Sequence, residues 1–90
     1  MLVLPQVLTH SQAVACLAAQ WPLLRSQAGD AAVQVDASAL QQFDSSALAV
    51  LLEFRREALA LGRRFVVLGL PARLAELAAL YGIDGLLAVA

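Results

Sequence analysis

Hydrophobic and polar positions along this 90-residue chain switch between two periods. The apolar runs LVLPQVL, AAVQVDA and FVVLGL have the length and residue types of strands. Each run is followed by a segment in which apolar residues recur three to four positions apart, as on one face of a helix. The order β-α-β-α-β-α predicts a single α/β domain over residues 1–90, with about three helices and a mixed but mainly parallel sheet.

Local signals predict where the first elements begin and end. Pro5 should place the first strand at a sheet edge or a bulge, because proline donates no ladder hydrogen bond. Thr9 and Gln12 match a capping box at the start of a helix, which Pro22 is expected to end or kink. Gly29-Asp30 predicts a turn before the second strand.

Similar signals divide the second half of the chain. Residues 37–43 are expected to form a loop, and a long helix should run from about Ser45 to Leu61, with Gly62 directly after it. Pro71 fits the first turn of a third helix. The tail GLLAVA is expected to form a last short strand or to pack loosely.

The long helix has more apolar positions than are needed to cover a sheet. Six residues share one face about 100° wide: Ala47, Val50, Leu51, Phe54, Ala58 and Leu61. Outside that face lies a leucine shoulder, formed by Leu48, Leu52 and Leu59, with Arg55 and Arg56 beside it. Two interpretations stay open: the shoulder is a wide part of the core, or it is a partner-binding surface with an apolar centre and an arginine rim.

The stretch Asp44-Ser45-Ser46 directly precedes this helical pattern. The Asp44 carboxylate can cap the helix and suits the positive end of the helix dipole. The two serines then fall in the first turn, where free backbone N–H groups would also tolerate a phosphate. Capping and phosphorylation are compatible, so both interpretations remain.

Composition and charge narrow the chemistry. The net charge of −1 gives no basic footprint for nucleic acid, and one Cys with one His cannot form a disulfide or a structural zinc site. Neither GxGxxG nor GxxxxGK occurs, and His10 is the single histidine that could assist a serine nucleophile. We therefore expect no catalytic residues, no metal and no cofactor, and we expect Cys16 to be a buried apolar residue.

The first charged side chain is that of Arg25, and a long uncharged amino-terminal stretch is a feature shared with membrane and export signals. No basic residue precedes this stretch, and polar residues interrupt it before 18 consecutive apolar residues accumulate. These features predict a cytoplasmic protein without direct membrane insertion.

The middle of the chain resembles a STAS domain, the fold of sulphate-transporter and anti-sigma-factor-antagonist domains. The resemblance lies in the strand VQVDA, a loop, the helix start FDSSALAVLLEFRR and a strand after Gly62. The family motif is a strand ending in Asp, then Asp-Ser-Ser-Gly-Leu at a helix start. Asp36 and residues 44–48 match it here, with Ala47 in place of the glycine. The opening VLTHSQA also resembles the family's entry to its first helix.

Residues 45–87 resemble the B subunit of Mla phospholipid-transport ABC systems, which maintain outer-membrane lipid asymmetry. The resemblance implies a non-enzymatic cytoplasmic subunit that binds the transporter ATPase, and through it the permease complex at the inner membrane. It implies that the hydroxyl residue after the motif Asp, here Ser45, contacts the ATPase together with the helix that follows, and we expect Asp44 and Ser46 to complete this contact loop. The residues of this expected contact are Asp44, Ser45, Ser46, Leu48, Leu52, Arg55 and Arg56.

The wider family implies an alternative. In anti-sigma antagonists the first serine after the motif Asp is phosphorylated, and this position corresponds to Ser45. The partner would then be an anti-sigma factor kinase, released when the serine is phosphorylated. Compared with the family, an equivalent of its first strand is expected to be missing, and two explanations stay open: the fold is trimmed, or the true start lies upstream. The sheet edge left open in the first case would favour a homodimer.

Overall fold

The structure is a computed structural model that describes residues 1–26 and 32–87. The strands are β1 (Leu2–Val3), β2 (Val7–Leu8), β3 (Val33–Asp36), β4 (Gln42–Phe43) and β5 (Phe65–Leu68). The helices are α1 (His10–Ser26), α2 (Ser45–Ala60) and α3 (Ala72–Leu80), followed by a 3₁₀ turn at Asp84–Leu86. The predicted α/β class with three helices is confirmed.

The strands form two small sheets within the described residues. One sheet has the order β1-β3-β5 and the other pairs β2 with β4, and every pairing in both is parallel. In the first sheet β3 is central, so Val35 lies between Leu2 and Val67. The prediction of a mainly parallel sheet is confirmed.

The opening apolar run is not one strand. It divides into β1 and β2, which lie in different sheets, and Pro5 stands in the break between them. The Leu4 N–H still donates to the carbonyl of Asp36 at 2.9 Å, and the Gln6 carbonyl accepts from the N–H groups of Gln41 and Gln42. The expected loop at residues 37–43 therefore contains the short strand β4, which exists because β2 is there to pair with it.

Helix α1 begins with one of the two bonds of the predicted capping box, the bond from the Thr9 N–H to the Gln12 side chain, while the Gln12 N–H donates to the Thr9 backbone carbonyl. The Gln12 Oε1 accepts hydrogen bonds from the Thr9 backbone N–H at 2.9 Å and from the Thr9 hydroxyl. The helix does not end at Pro22 but continues to Ser26. Packing on both sides of the proline offsets the backbone bond that it removes: Leu24 is fully buried, and Trp21 meets the ring of Phe54 edge-on, with centroids 5.5 Å apart.

The core lies between the sheet and the helices. Val33 and Val35 are buried while Gln34 is exposed, as the alternation in the second strand predicts. Cys16 is buried, as expected. Five of the six residues predicted on the core face of α2 are buried: Ala47, Val50, Leu51, Phe54 and Ala58. The sixth, Leu61, is exposed, because the helix has ended by that position.

Two predictions, the turn at Gly29-Asp30 and the structure of the tail GLLAVA, fall wholly or partly on residues that the structure does not describe. The predicted turn at Gly29-Asp30 lies outside the described residues, as do the last three residues of the tail. The described part of the tail enters the 3₁₀ turn and gives no strand as far as Leu87. Across residues 1–26 and 32–87, no helix combines the length and the hydropathy needed to cross a bilayer.

Candidate partner-binding site

Asp44 connects the amino-terminal ends of two helices. Its Oδ1 accepts a hydrogen bond from the Ser46 backbone N–H at 2.8 Å, and its Oδ2 accepts one from the His10 backbone N–H at 3.1 Å. Ser46 lies in the first turn of α2, and His10 is the first residue of α1. One carboxylate therefore satisfies a free donor on each helix and faces the positive end of both dipoles. The predicted cap of α2 is confirmed, and the bond to α1 adds a contact that sequence reasoning missed.

The hydrogen bonds to the two motif acids stabilise their charged forms. The Ser46 N–H, and next the His10 N–H, hold the pKa of the Asp44 carboxyl below its ordinary value. At the end of β3, the Ser38 hydroxyl and then its N–H donate to Asp36 Oδ1, at 2.6 and 2.9 Å, and lower the pKa of that carboxyl. Both carboxylates are therefore ionised at neutral pH.

The residues that follow Asp44 differ in their access to solvent. Ser45, the first residue of α2, is exposed, while Ser46 is partly buried. Ala47, which replaces the motif glycine, is fully buried. Its methyl group therefore packs inside the protein and leaves the solvent side of Ser45 open. The structure thus presents one accessible hydroxyl beside a fixed carboxylate.

The leucine shoulder passes from buried to exposed along α2. Leu48 is 2% exposed, Leu52 is partly buried and Leu59 is 50% exposed. Leu48 therefore belongs to the core, which corrects its expected place on an exposed contact surface. The sequence could not separate the three leucines, because the helical period places them on the same side and only the neighbouring elements decide which one is covered.

A stripe of accessible side chains runs down the solvent side of α2. Ser45, Ala49, Leu52 and Arg56 recur at spacings of four, three and four, so they share one face; we call them the α2 stripe. All are exposed except Leu52, which is partly buried. Sequence reasoning missed Ala49, although its spacing from Ser45 was the available signal. The stripe brings the motif serine, one leucine and one predicted arginine together.

The other predicted arginine lies on a neighbouring surface. Arg55 is partly buried and lines an open cleft of about 400 Å³ between the end of α2, β5 and the 3₁₀ turn. Arg64 also lines this cleft, and Leu59, Val66 and Leu86 supply apolar surface. Arg55 therefore faces this cleft, about 100° around α2 from Arg56, so the two predicted arginines lie on neighbouring surfaces and do not form one continuous rim.

Among the described residues, the titratable side chains do not gather into a metal centre. Within the part of the chain that the structure describes, no group of three or more His, Cys, Asp and Glu side chains could hold an ion. Arg25 and Glu57 form an exposed ion pair at 3.4 Å, which links α1 to α2 on a different side of α2 from the stripe. The site thus consists of hydrogen-bonded acids, a hydroxyl and a mixed apolar and basic helix face, which suits the contact of another protein.

The chain matches the model of one known protein family. The family model described as "Mlab, STAS domain" matches residues 1–88, which include both motif acids and all three helices. The chain belongs to the STAS domain family. The match supports an accessory or regulatory role of the STAS type. A search among curated proteins found no match.

Proposed function

We propose that this protein is a non-enzymatic accessory subunit that binds the ATPase of an Mla-type phospholipid ABC transporter. In this role it supports assembly and activity of the ATPase–permease complex, and so the lipid asymmetry of the outer membrane. The match of the Mlab STAS family model to residues 1–88 carries the proposal. The protein would work in the cytoplasm and reach the inner membrane through its partner.

The proposed contact consists of Asp44, Ser46 and the α2 stripe, with Arg55 at its margin. The exposed hydroxyl of Ser45 can donate to or accept from a partner. Leu52 supplies apolar area in the middle of the stripe, and Arg56 can pair with an acidic group below it. Leu48 takes no part, because the core covers it.

Substitutions that introduce a carboxylate into the α2 stripe test this contact. A tagged chain should recover the ATPase and permease from its native membranes, identified by mass spectrometry. Ser45→Glu and Leu52→Glu should each reduce the recovery strongly, because a carboxylate would be desolvated against the partner. Leu80→Glu is the matched control, since Leu80 is 78% exposed on α3 and outside the stripe.

Ser45→Glu and Leu80→Glu should keep the circular dichroism spectrum of the parent chain, because both positions are exposed. Leu52 packs partly against the core, so loss of recovery by Leu52→Glu counts as loss of binding where its spectrum also matches the parent. Equal recovery of the ATPase by Ser45→Glu, Leu52→Glu and the parent would contradict the proposed contact. Failure of the parent chain to recover any ATPase would contradict the proposed function itself.

An anti-sigma factor antagonist is the second candidate, and the exposure of Ser45 beside the Asp44 carboxylate favours it. A phosphate on this hydroxyl adds a charge of about −1.5 to −2 next to an existing anion. Repulsion and desolvation would then break a contact with an anti-sigma kinase. Recovery of such a kinase by the unphosphorylated chain, and phosphorylation of Ser45 by that kinase with release of the chain, neither modification nor release being seen with Ser45→Ala, would favour this candidate over the transporter subunit.

A further inference from the structure

The open cleft between the end of α2, β5 and the 3₁₀ turn combines apolar walls with positive charge. Its volume of about 400 Å³ is within the range of small-molecule sites. Leu59 and Leu86, which are 50% and 41% exposed, line it together with Val66, so a ligand lying there would remove apolar surface from water. Apart from Arg55 at the margin of the proposed contact, neither candidate function uses this cleft.

The positive charge of the cleft is not balanced by nearby acids. Arg55 and Arg64 both line it, and none of its described lining residues is acidic. Within residues 1–26 and 32–87 neither arginine pairs with a carboxylate, and the ion pair found there joins Arg25 to Glu57. Glu53 and Glu57 lie about 160° around α2 from Arg55, because each is two positions away along the helix. The cleft therefore lacks a counter-charge that a ligand could supply.

Both arginines are accessible to a ligand, since Arg64 is exposed and Arg55 is only partly buried. A guanidinium group presents N–H donors in a planar fork that matches a carboxylate. Two features oppose a large negative charge: the cleft lies at the carboxyl-terminal end of α2, where the helix dipole disfavours anions, and the exposed Asp84 directly precedes Gly85 of the lining. The balance of these charges favours a ligand with one negative charge over a dianion.

We propose that this cleft binds a free aliphatic carboxylate, whose head pairs with the two arginines and whose hydrocarbon chain lies against Leu59, Val66 and Leu86. A purely polar anion would leave the apolar walls in water, and a neutral amphiphile would leave both cations unpaired. Apolar contact supplies most of the affinity, because accessible ion pairs contribute little by themselves, and the charge selects the head group. The inference does not depend on the proposed ATPase partner.

Three probes separate the contribution of the head from that of the chain. The intact ¹⁵N-labelled protein is titrated with octanoate, with acetate as the head alone and with 1-octanol as the chain with a neutral head. The amide signals of Val66 and Gly85 and the Nε–H signals of the two arginines report occupancy of the cleft. We expect saturable shifts with octanoate, binding of 1-octanol that is about fivefold weaker and binding of acetate that is weaker by about tenfold or more. Added NaCl should weaken binding of octanoate and leave that of 1-octanol unchanged.

Two pairs of variants locate the effect. Arg55→Gln should weaken binding of octanoate about fivefold and leave that of 1-octanol unchanged, whereas Arg56→Gln, at the next position and outside the lining, should change neither. Leu86→Ser should weaken binding of both octanoate and 1-octanol, and Leu80→Ser, on α3 and outside the lining, is its matched control.

The proposal is overturned by absence of saturable shifts at the cleft, by equal binding of octanoate and 1-octanol, or by equal effects of Arg55→Gln and Arg56→Gln. If Leu86→Ser fails to fold, the three probes and the two arginine variants decide the question alone, because both arginines carry their charge on the accessible side of α2.

Discussion

Replacement of Leu48 by alanine tests whether the amino-terminal part of the leucine shoulder is core or contact surface. The substitution removes three carbon atoms from a side chain that is 2% exposed. At about 0.8 kcal/mol per buried carbon group, with a further term for the cavity, the expected loss of unfolding free energy is about 3 kcal/mol. For a domain of this size that corresponds to a decrease in Tm of roughly 12–24 °C.

Leu59→Ala is the matched control for this measurement. It makes the same chemical change in the same helix, so the difference in helix propensity cancels between the two variants. Leu59 is 50% exposed, and its replacement should cost less than about 1 kcal/mol. Thermal and urea unfolding followed by circular dichroism give both values. Equal losses for the two variants, or a loss below about 1 kcal/mol for Leu48→Ala, would refute the assignment of Leu48 to the core.

One further prediction concerns the two motif acids, and another compares the glycines that follow α2 and β5. The pKa values of Asp44 and Asp36 are lowered in the folded chain, so their stabilising contribution is complete above the unfolded-state pKa of about 3.9 and is lost as the pH falls through the folded values. Asp44→Asn should therefore flatten the decline of stability in urea unfolding between about pH 5 and pH 2, and an unchanged decline would contradict this role. Gly62→Ala should cost about 1–2 kcal/mol, because φ is +71° with open space around the added methyl group. Gly69→Ala should cost at least about 1 kcal/mol more, since its Cβ would lie 2.8 Å from the Ser38 Cβ, and equal Tm values for the two variants would contradict the predicted clash.

The two candidate functions make different demands on the start of α2 and on the residues farther along the helix. At the start of α2, the hydrogen-bonded carboxylate of Asp44 lies next to the exposed Ser45, an arrangement that suits either a docking contact or a phosphorylation switch. Farther along α2, Leu52 and Arg56 carry no group that can be phosphorylated, so a change there bears on the proposed protein contact and not on a phosphorylation switch. A variant at Arg56 that weakens ATPase recovery without any phosphate on Ser45 would therefore favour the transporter role.

The capping residue and the end of α2 could be predicted from the sequence, because interactions between residues close along the chain determine them. Asp44 caps α2 through the N–H two residues away, and Gly62 ends the helix region because a positive φ is inexpensive for glycine. The alternation of Val33, Gln34 and Val35 similarly predicted which side of β3 is buried.

Only the tertiary structure decided the features that depend on distant residues. The second bond of Asp44 reaches His10, 34 positions earlier, and no local pattern indicates that contact. Helix α1 passes through Pro22 because packing of Trp21 on Phe54 outweighs a local rule. Leu48 and Leu59 have the same residue type and lie on the same shoulder, yet one is buried and the other exposed. The sequence determined the order and approximate positions of the three helices and the longer strands, since those depend on neighbours along the chain. The division of the first strand, the passage of α1 through Pro22 and the accessible surface depend on which elements pack against each other.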